Sequence, residues 1–223
     1  MPSDAASTLP APPDAILFDL DGTLIDSRVP FVTSLNHTLA AHGRPRREPE
    51  ELVRHLGPPT RVTFTELFGD DRRLIDAALA TYRAHYNRTS PATTVVYAGI
   101  PELLRSLRGR VPLAVATSKV GASAVALLEH LGLAELFDVI RGPDESALAE
   151  PKAVTVAQAL AALGSPQRAV MVGDRRYDVE GAAAHGLPTI GVLWGAGSEQ
   201  ELREAGATVL VAAPPEIPPL LGL

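Results

Sequence analysis

Three short apolar runs, each stopping abruptly at a polar residue or a glycine, constrain this chain more than any other feature. Ala15 to Phe18 stops at Asp19, Leu113 to Ala116 at Thr117, and Ala169 to Val172 at Gly173-Asp174. Such runs, with no polar residue interleaved, read as strands buried on both faces. Between them lie stretches with helical spacing: Gly99 to Leu107, Ala122 to Leu131 and Ala153 to Leu163. The last two stop near Gly132 and Gly164, as helices often do. Strands alternating with helices predict an α/β fold, a doubly wound parallel sheet with helices on both faces. Further strands are expected over Phe137 to Ile140, Thr189 to Leu193 and Thr208 to Val211.

The stretch from Ser27 to Thr94 breaks this rhythm. Pro30 to His42, Pro49 to Leu56, Val62 to Phe68 and Arg72 to Arg88 read as consecutive helices, so residues 27–94 are expected to form an inserted all-helical module. Its junctions, near Asp26-Ser27 and over Pro91 to Tyr97, carry the polar and proline residues of linkers. Residues 14–26 and 95–223 are then one sheet-based core. Residues 1–13 read as a flexible tail that lacks the basic and apolar regions of an export signal. No uninterrupted apolar run approaches the roughly 18 residues of a membrane helix, which predicts a soluble, cytoplasmic protein. A net charge of -6 disfavours nucleic acid or an anionic membrane as the partner. With no cysteine, disulfides, thiolate metal sites and cysteine nucleophiles are excluded.

In an open parallel sheet the ligand crevice lies beyond the carboxyl ends of the strands, where Asp19, Thr117 and Asp174 would all be delivered. The stretch Asp19-Leu20-Asp21-Gly22-Thr23 sets two carboxylates on a tight loop, close enough to divide the tasks of attack and proton transfer. A calcium loop would need further oxygen ligands and a downstream glutamate, and here Leu24-Ile25 follow. The six histidines are scattered without the paired spacing of a zinc site.

These motifs, taken together, resemble the haloacid dehalogenase-like superfamily of phosphohydrolases, in the branch with a helical cap after the first motif. Asp19-Leu20-Asp21-Gly22-Thr23-Leu24 is similar to its first motif, Thr117-Ser118 to the second, Lys152 to the third, and Gly173-Asp174 with Asp178 to the fourth. The segment Gly173 to Gly197 is similar to phosphoglycolate phosphatases and to nucleotidases acting on pyrimidine nucleoside monophosphates. The resemblance covers about Ile16 to Val211 and implies a Rossmann-like core. It implies that Asp19 is a nucleophile forming an aspartyl-phosphate, and that Asp21 protonates the leaving alcohol and then deprotonates the attacking water. Magnesium would be held by Asp19, the Asp21 backbone carbonyl and Asp174, with Asp178 in support. Leu20, Asp21, Thr117, Ser118 and Lys152 would cradle the phosphoryl group of a small phosphorylated metabolite.

The lysines add a separate signal. The chain has 18 arginines and only 2 lysines, Lys119 and Lys152, and both lie in or beside these motifs. A compact ammonium serves a phosphoryl oxygen differently from a guanidinium fork. Lys152 follows Pro151, where many members of the family have the lysine before the proline, a register that would move the amine. In the helical module, Arg54 to Arg61 resembles the family's specificity loop, so Arg54, Gly57 and Arg61 are candidates for meeting a second anionic group. Arg175 and Arg176 are further cations beside Asp174.

The resulting expectation is a magnesium-dependent phosphomonoesterase similar to phosphoglycolate phosphatase. A 5'-nucleotidase and a sugar phosphomutase are the rivals within the same fold. A dehalogenase is disfavoured because departing halide needs no proton and leaves Asp21 without a task. A signalling receiver domain combines similar groups, but with its acceptor on a later strand and no helical insertion. A catalytically silent binding protein is disfavoured because every motif position is filled.

Overall fold

The computed structural model describes residues 9, 12–58, 60–144 and 150–223. The chain begins with β1 (Ala15–Phe18) and β2 (Ile25–Asp26), followed by α1 (Arg28–Ala41), α2 (Pro49–Val53), α3 (Thr60–Phe68) and α4 (Arg72–Thr93). It continues through β3 (Val95–Val96), α5 (Ile100–Leu107), β4 (Leu113–Ala116), α6 (Gly121–His130) and β5 (Val139–Arg141). The last part comprises α7 (Lys152–Ala162), β6 (Ala169–Gly173), α8 (Arg176–Ala183), β7 (Thr189–Val192), α9 (Glu199–Ala205), β8 (Val209–Val211) and α10 (Ile217–Leu221).

Six strands form one parallel sheet in the order β5-β4-β1-β6-β7-β8. This is the doubly wound, Rossmann-like α/β fold. The chain leaves β1 toward β4 and β5 on one side, then crosses back to β6, β7 and β8 on the other, so β1 lies at the reversal where a crevice opens. Alternate residues of the strands face opposite layers. Ile16, Phe18, Leu113, Val115, Val170 and Val172 enter one core with α5 and α6. Ala15, Leu17, Ala114, Ala116, Ala169 and Met171 enter a second core against Val156 and Ala159 of α7 and Ala182 of α8. Four of those six are alanines, and small side chains let α7 and α8 pack closely on the sheet, which brings their first turns near the end of β1.

Residues 28–93 are helical and bury a separate cluster, with Phe31, Phe64, Phe68, Tyr82 and Tyr86 among its members. Their rings pack edge-to-face, stacked or tilted, with centroids 5.4–6.2 Å apart. The segment joins the core through an antiparallel ribbon of β2 and β3, pairing Ile25 with Val96 and Asp26 with Val95.

Several boundaries differ from the sequence expectation. The helix expected to stop near Arg88 runs through Pro91 to Thr93, so the first part of the expected linker is helical. Pro91 lies in its last turn and forfeits one N–H bond, while the Thr94 N–H still reaches the Ser90 carbonyl at 2.9 Å. The strand expected from Phe137 is extended only over Val139–Arg141, and Phe137 is turned inward to meet Phe18 edge-on at 6.2 Å. Helices α9 and α10 and the β2–β3 ribbon, each short, were not anticipated. Most of the expected flexible tail lies outside the described residues, and Leu9 within it is buried in the first core cluster. Pro59 also lies outside them. Among the described residues no helix is long and apolar enough to cross a membrane.

Candidate active site

Asp19 is the first residue after β1, buried, with its N–H bonded to the Val172 carbonyl of β6 at 2.9 Å. The loop that follows turns sharply. Gly22 sits at φ +92, and a Cβ there would overlap the Asp174 carboxylate, so only glycine admits both the turn and that carboxylate. Thr117 and Asp174 lie just beyond the ends of β4 and β6, both buried. Asp178 is in the first turn of α8.

Asp19, Asp174 and Asp178 can each present an oxygen within 4.8 Å of the others. Three buried carboxylates this close repel one another unless a cation lies among them, and an all-oxygen donor set suits a hard divalent ion. The Asp19 carboxyl is pushed up to about 7 by burial, against the pull of Lys152 and with help from Asp178 and Asp21. Burial, then Asp178 and Asp19, raise Asp174 well above the usual carboxylate range, although the Ala196 N–H donates to its Oδ2 at 2.7 Å.

Lys152, the first residue of α7, is buried and ion-paired with both Asp19 and Asp178, the latter at 2.7 Å. Burial works against its charge, but Asp178 and Asp19 outweigh that and hold its pKa above the ordinary lysine value. The lysine-after-proline register therefore brings the amine to Asp19. Asp178 does two things at once: Oδ2 accepts the Arg175 N–H at 3.0 Å at the start of α8, while Oδ1 faces Lys152.

Asp21 is turned differently. Its Oδ1 accepts a bond from Ser27 Oγ at 2.5 Å and its Oδ2 lies 3.0 Å from Lys119 Nζ, so its carboxylate stands apart from the three-carboxylate cluster. Lys119 also donates to the Tyr86 hydroxyl of α4 at 2.9 Å and sits 4.3 Å from that ring's centroid. It thereby links the loop after β4 to the helical segment. The sequence singled out Lys119 by its rarity and its place beside Thr117-Ser118, and neither Ser27 nor Tyr86 carried a signal.

A pocket opens between this floor and the helical segment. Its lining includes Asp19, Asp21, Thr117, Ser118 and Lys119 below and Phe31, His55, Gly57, Thr63, Tyr82, Arg83, Tyr86 and Asn87 above. Its free volume of ≈ 70 Å³ is several times the roughly 10–15 Å³ that holds one water. Of the loop residues put forward for specificity, Gly57 lines it. Arg54 does not: it is exposed and borders a separate hollow with Glu66 and Tyr177. Nor does Arg61, whose guanidinium is held 2.9 Å from Asp76 on the surface. Arg175 ties the core to the loop, bonding Glu201 at 2.8 Å and the Leu56 carbonyl, whereas Arg176 is exposed.

Comparison with known proteins adds to this geometry. A family model described as haloacid dehalogenase-like hydrolase matches residues 16–192. The chain is similar to the tyrosine-protein kinase PtkA of Mycobacterium tuberculosis, 39% identical over 90% of this chain and 69% of that protein. It is also similar to the phosphoglycolate phosphatase of Agrobacterium fabrum, 37% identical over 80% of each chain. Among solved structures, one described as a predicted phosphatase from Clostridium acetobutylicum superposes with a TM-score of 0.89 at 34% identity, covering 96% of this chain and all of the other.

Proposed function

The chain belongs to the haloacid dehalogenase-like hydrolase family, and from that premise we propose a phosphatase that releases phosphate from a small phosphomonoester through an aspartyl-phosphate on Asp19. The observation that carries the proposal is the placement of Asp19 on the pocket floor, with Lys152 and two further buried carboxylates converging on it.

In this reading an Asp19 carboxylate oxygen attacks phosphorus as the ester P–O bond breaks, and Asp21 hands its proton to the departing alcohol oxygen. Asp21 then takes a proton from water, which attacks the aspartyl-phosphate and frees both inorganic phosphate and the Asp19 carboxylate. Ser27 and Lys119 fix the Asp21 side chain for both transfers. Lys152 neutralises phosphoryl oxygen charge, with Thr117, Ser118 and the main-chain amides of Leu20 and Asp21 completing the cradle. Magnesium, held by Asp19, Asp174, Asp178 and the Asp21 carbonyl, would supply further neutralisation of that charge. Substrates of the size of phosphoglycolate suit the pocket volume, and the relative of that name supports the choice.

The test is phosphate release with magnesium from phosphoglycolate, nucleoside monophosphates and sugar phosphates, alongside beryllium fluoride trapping on Asp19. Absence of both turnover and adduct in folded, magnesium-loaded protein would overturn the reading. The relative named a kinase makes one control necessary, incubation with labelled ATP and a tyrosine peptide. Label entering the peptide in place of free phosphate would replace hydrolysis by transfer.

A further inference from the structure

The helical segment sets one cation against the pocket with nothing to answer its charge. Arg83, on α4, lines the pocket, and its Nη2 is buried without a hydrogen-bond partner among the described residues. None of the ion pairs among the described residues involves it. The other basic groups of the lining are already engaged. Lys119 is taken by Asp21 and Tyr86. His55 lies between Arg54 and Glu66, at 3.4 Å from each, and burial lowers its pKa. The only carboxylates in the lining, Asp19 and Asp21, belong to the floor and have their own cationic partners.

A buried guanidinium nitrogen with no acceptor is costly, and its fork matches a planar carboxylate through two parallel bonds. Resting on the hydrolase reading above, we infer that Arg83 is a specificity-determining residue. It receives a carboxylate carried by the substrate, whose phosphoryl group lies at Asp19. The substrate class is then a small phosphorylated carboxylic acid. Asn87, one turn further along α4 and also in the lining, adds a polar neighbour, although its Oδ1 already accepts from Ser123 Oγ at 3.2 Å.

The experiment compares kcat/KM for phosphoglycolate with that for ethyl phosphate, which has similar bulk and no carboxylate, in the magnesium-loaded enzyme. Wild-type protein is expected to favour phosphoglycolate, and Arg83→Gln to shrink that preference about 30-fold, chiefly through KM. Arg83→Lys should restore part of it. A wild type without preference, or a preference that survives Arg83→Gln, would overturn the inference. Should wild-type protein hydrolyse neither compound, the hydrolase reading fails and binding still decides the site. Asp19→Asn protein is then titrated calorimetrically with both compounds, with and without Arg83→Gln. Tighter binding of phosphoglycolate that Arg83→Gln abolishes upholds the carboxylate site, and equal binding overturns it. Circular dichroism of each variant checks that it is folded.

Discussion

The sheet buries rows of aliphatic side chains on its two faces, with Phe18 and Phe137 its only ring pair among the described residues, whereas the helical segment is built around an aromatic cluster. In the sheet, strand ends fix where polar groups emerge. Asp19, Thr117 and Asp174 inherit their positions from β1, β4 and β6, whose backbone ladders leave little freedom. In the helical segment, the pocket-facing Arg83 and Asn87 flank the buried face of α4, next to Tyr82 and Tyr86, which line the pocket too. Side-chain bonds join them to the core at few points, Lys119 to Tyr86, Ser123 to Asn87 and Arg175 to Leu56. A rigid floor suits chemistry that must hold atoms in line, and an overlying surface whose polar residues carry no ladder can vary with the substrate.

If this division holds, changes in the floor depress turnover of every substrate alike, and changes above it alter choice among substrates. The largest effect is expected from Asp19→Asn, a fall of about 10⁴-fold or more in phosphate release on all substrates. A residual rate near wild type, in protein shown to be folded, would move the nucleophile elsewhere. Next, Asp21→Asn should cost about 10³-fold, more for poor leaving groups than for activated aryl phosphates. An equal loss across leaving groups would deny it the proton.

Lys119→Met tests the seam between the two regions. With the Asp21 carboxylate losing its cationic partner, turnover should drop about 30-fold on every substrate, and a change confined to KM of one substrate would assign Lys119 to the upper region instead.

A thermal measurement probes the floor without turnover. Burial raises the Asp19 and Asp174 carboxyls above their unfolded values, so the folded, metal-free state binds protons more tightly than the unfolded chain. Stability of metal-free protein is therefore present at low pH and lost as pH rises toward and through about 7, the value for Asp19. Its melting temperature should fall by several degrees between about pH 5 and pH 8, and magnesium should recover most of that loss at the upper end. A flat, magnesium-insensitive profile would mean that the carboxylates do not share a cation. The smallest effect is expected from Arg61→Ala. Its pair with Asp76 is exposed, so activity on phosphoglycolate should stay within about twofold and stability within about 1 kcal/mol. A larger loss of activity would return the 54–61 loop to the role that its sequence suggested.

The floor was legible because its signals are local. A strand that must be buried on both faces ends where the first polar residue appears, and that residue is delivered to the crevice; Asp19 and Thr117 follow this pattern directly, and Asp174 one glycine later. The rarity of lysine marked Lys152, and the structure sets its amine on Asp19 despite the altered register. Arg54 and Arg61 were read from a glycine- and proline-rich turn, and Gly57 of that turn does line the pocket. Its two arginines point to other partners, because a loop's sequence gives its bend and not the direction of its long side chains.

From the sequence alone came the α/β class, the helical insertion and the acidic motifs, all of which rest on periodicity and on residues near one another in the chain. Only the tertiary structure decided that Lys119 meets Asp21 and Tyr86, that Asp178 caps α8 while facing Lys152, and that Arg83 is the basic residue of the pocket lining with no ion pair among the described residues. The physical reason is that helical spacing identifies which side of α4 is buried in its own cluster. Which polar residues at the margin of that face overlie the floor depends on how two separately packed bodies meet, and that meeting is set by contacts between residues far apart in the chain.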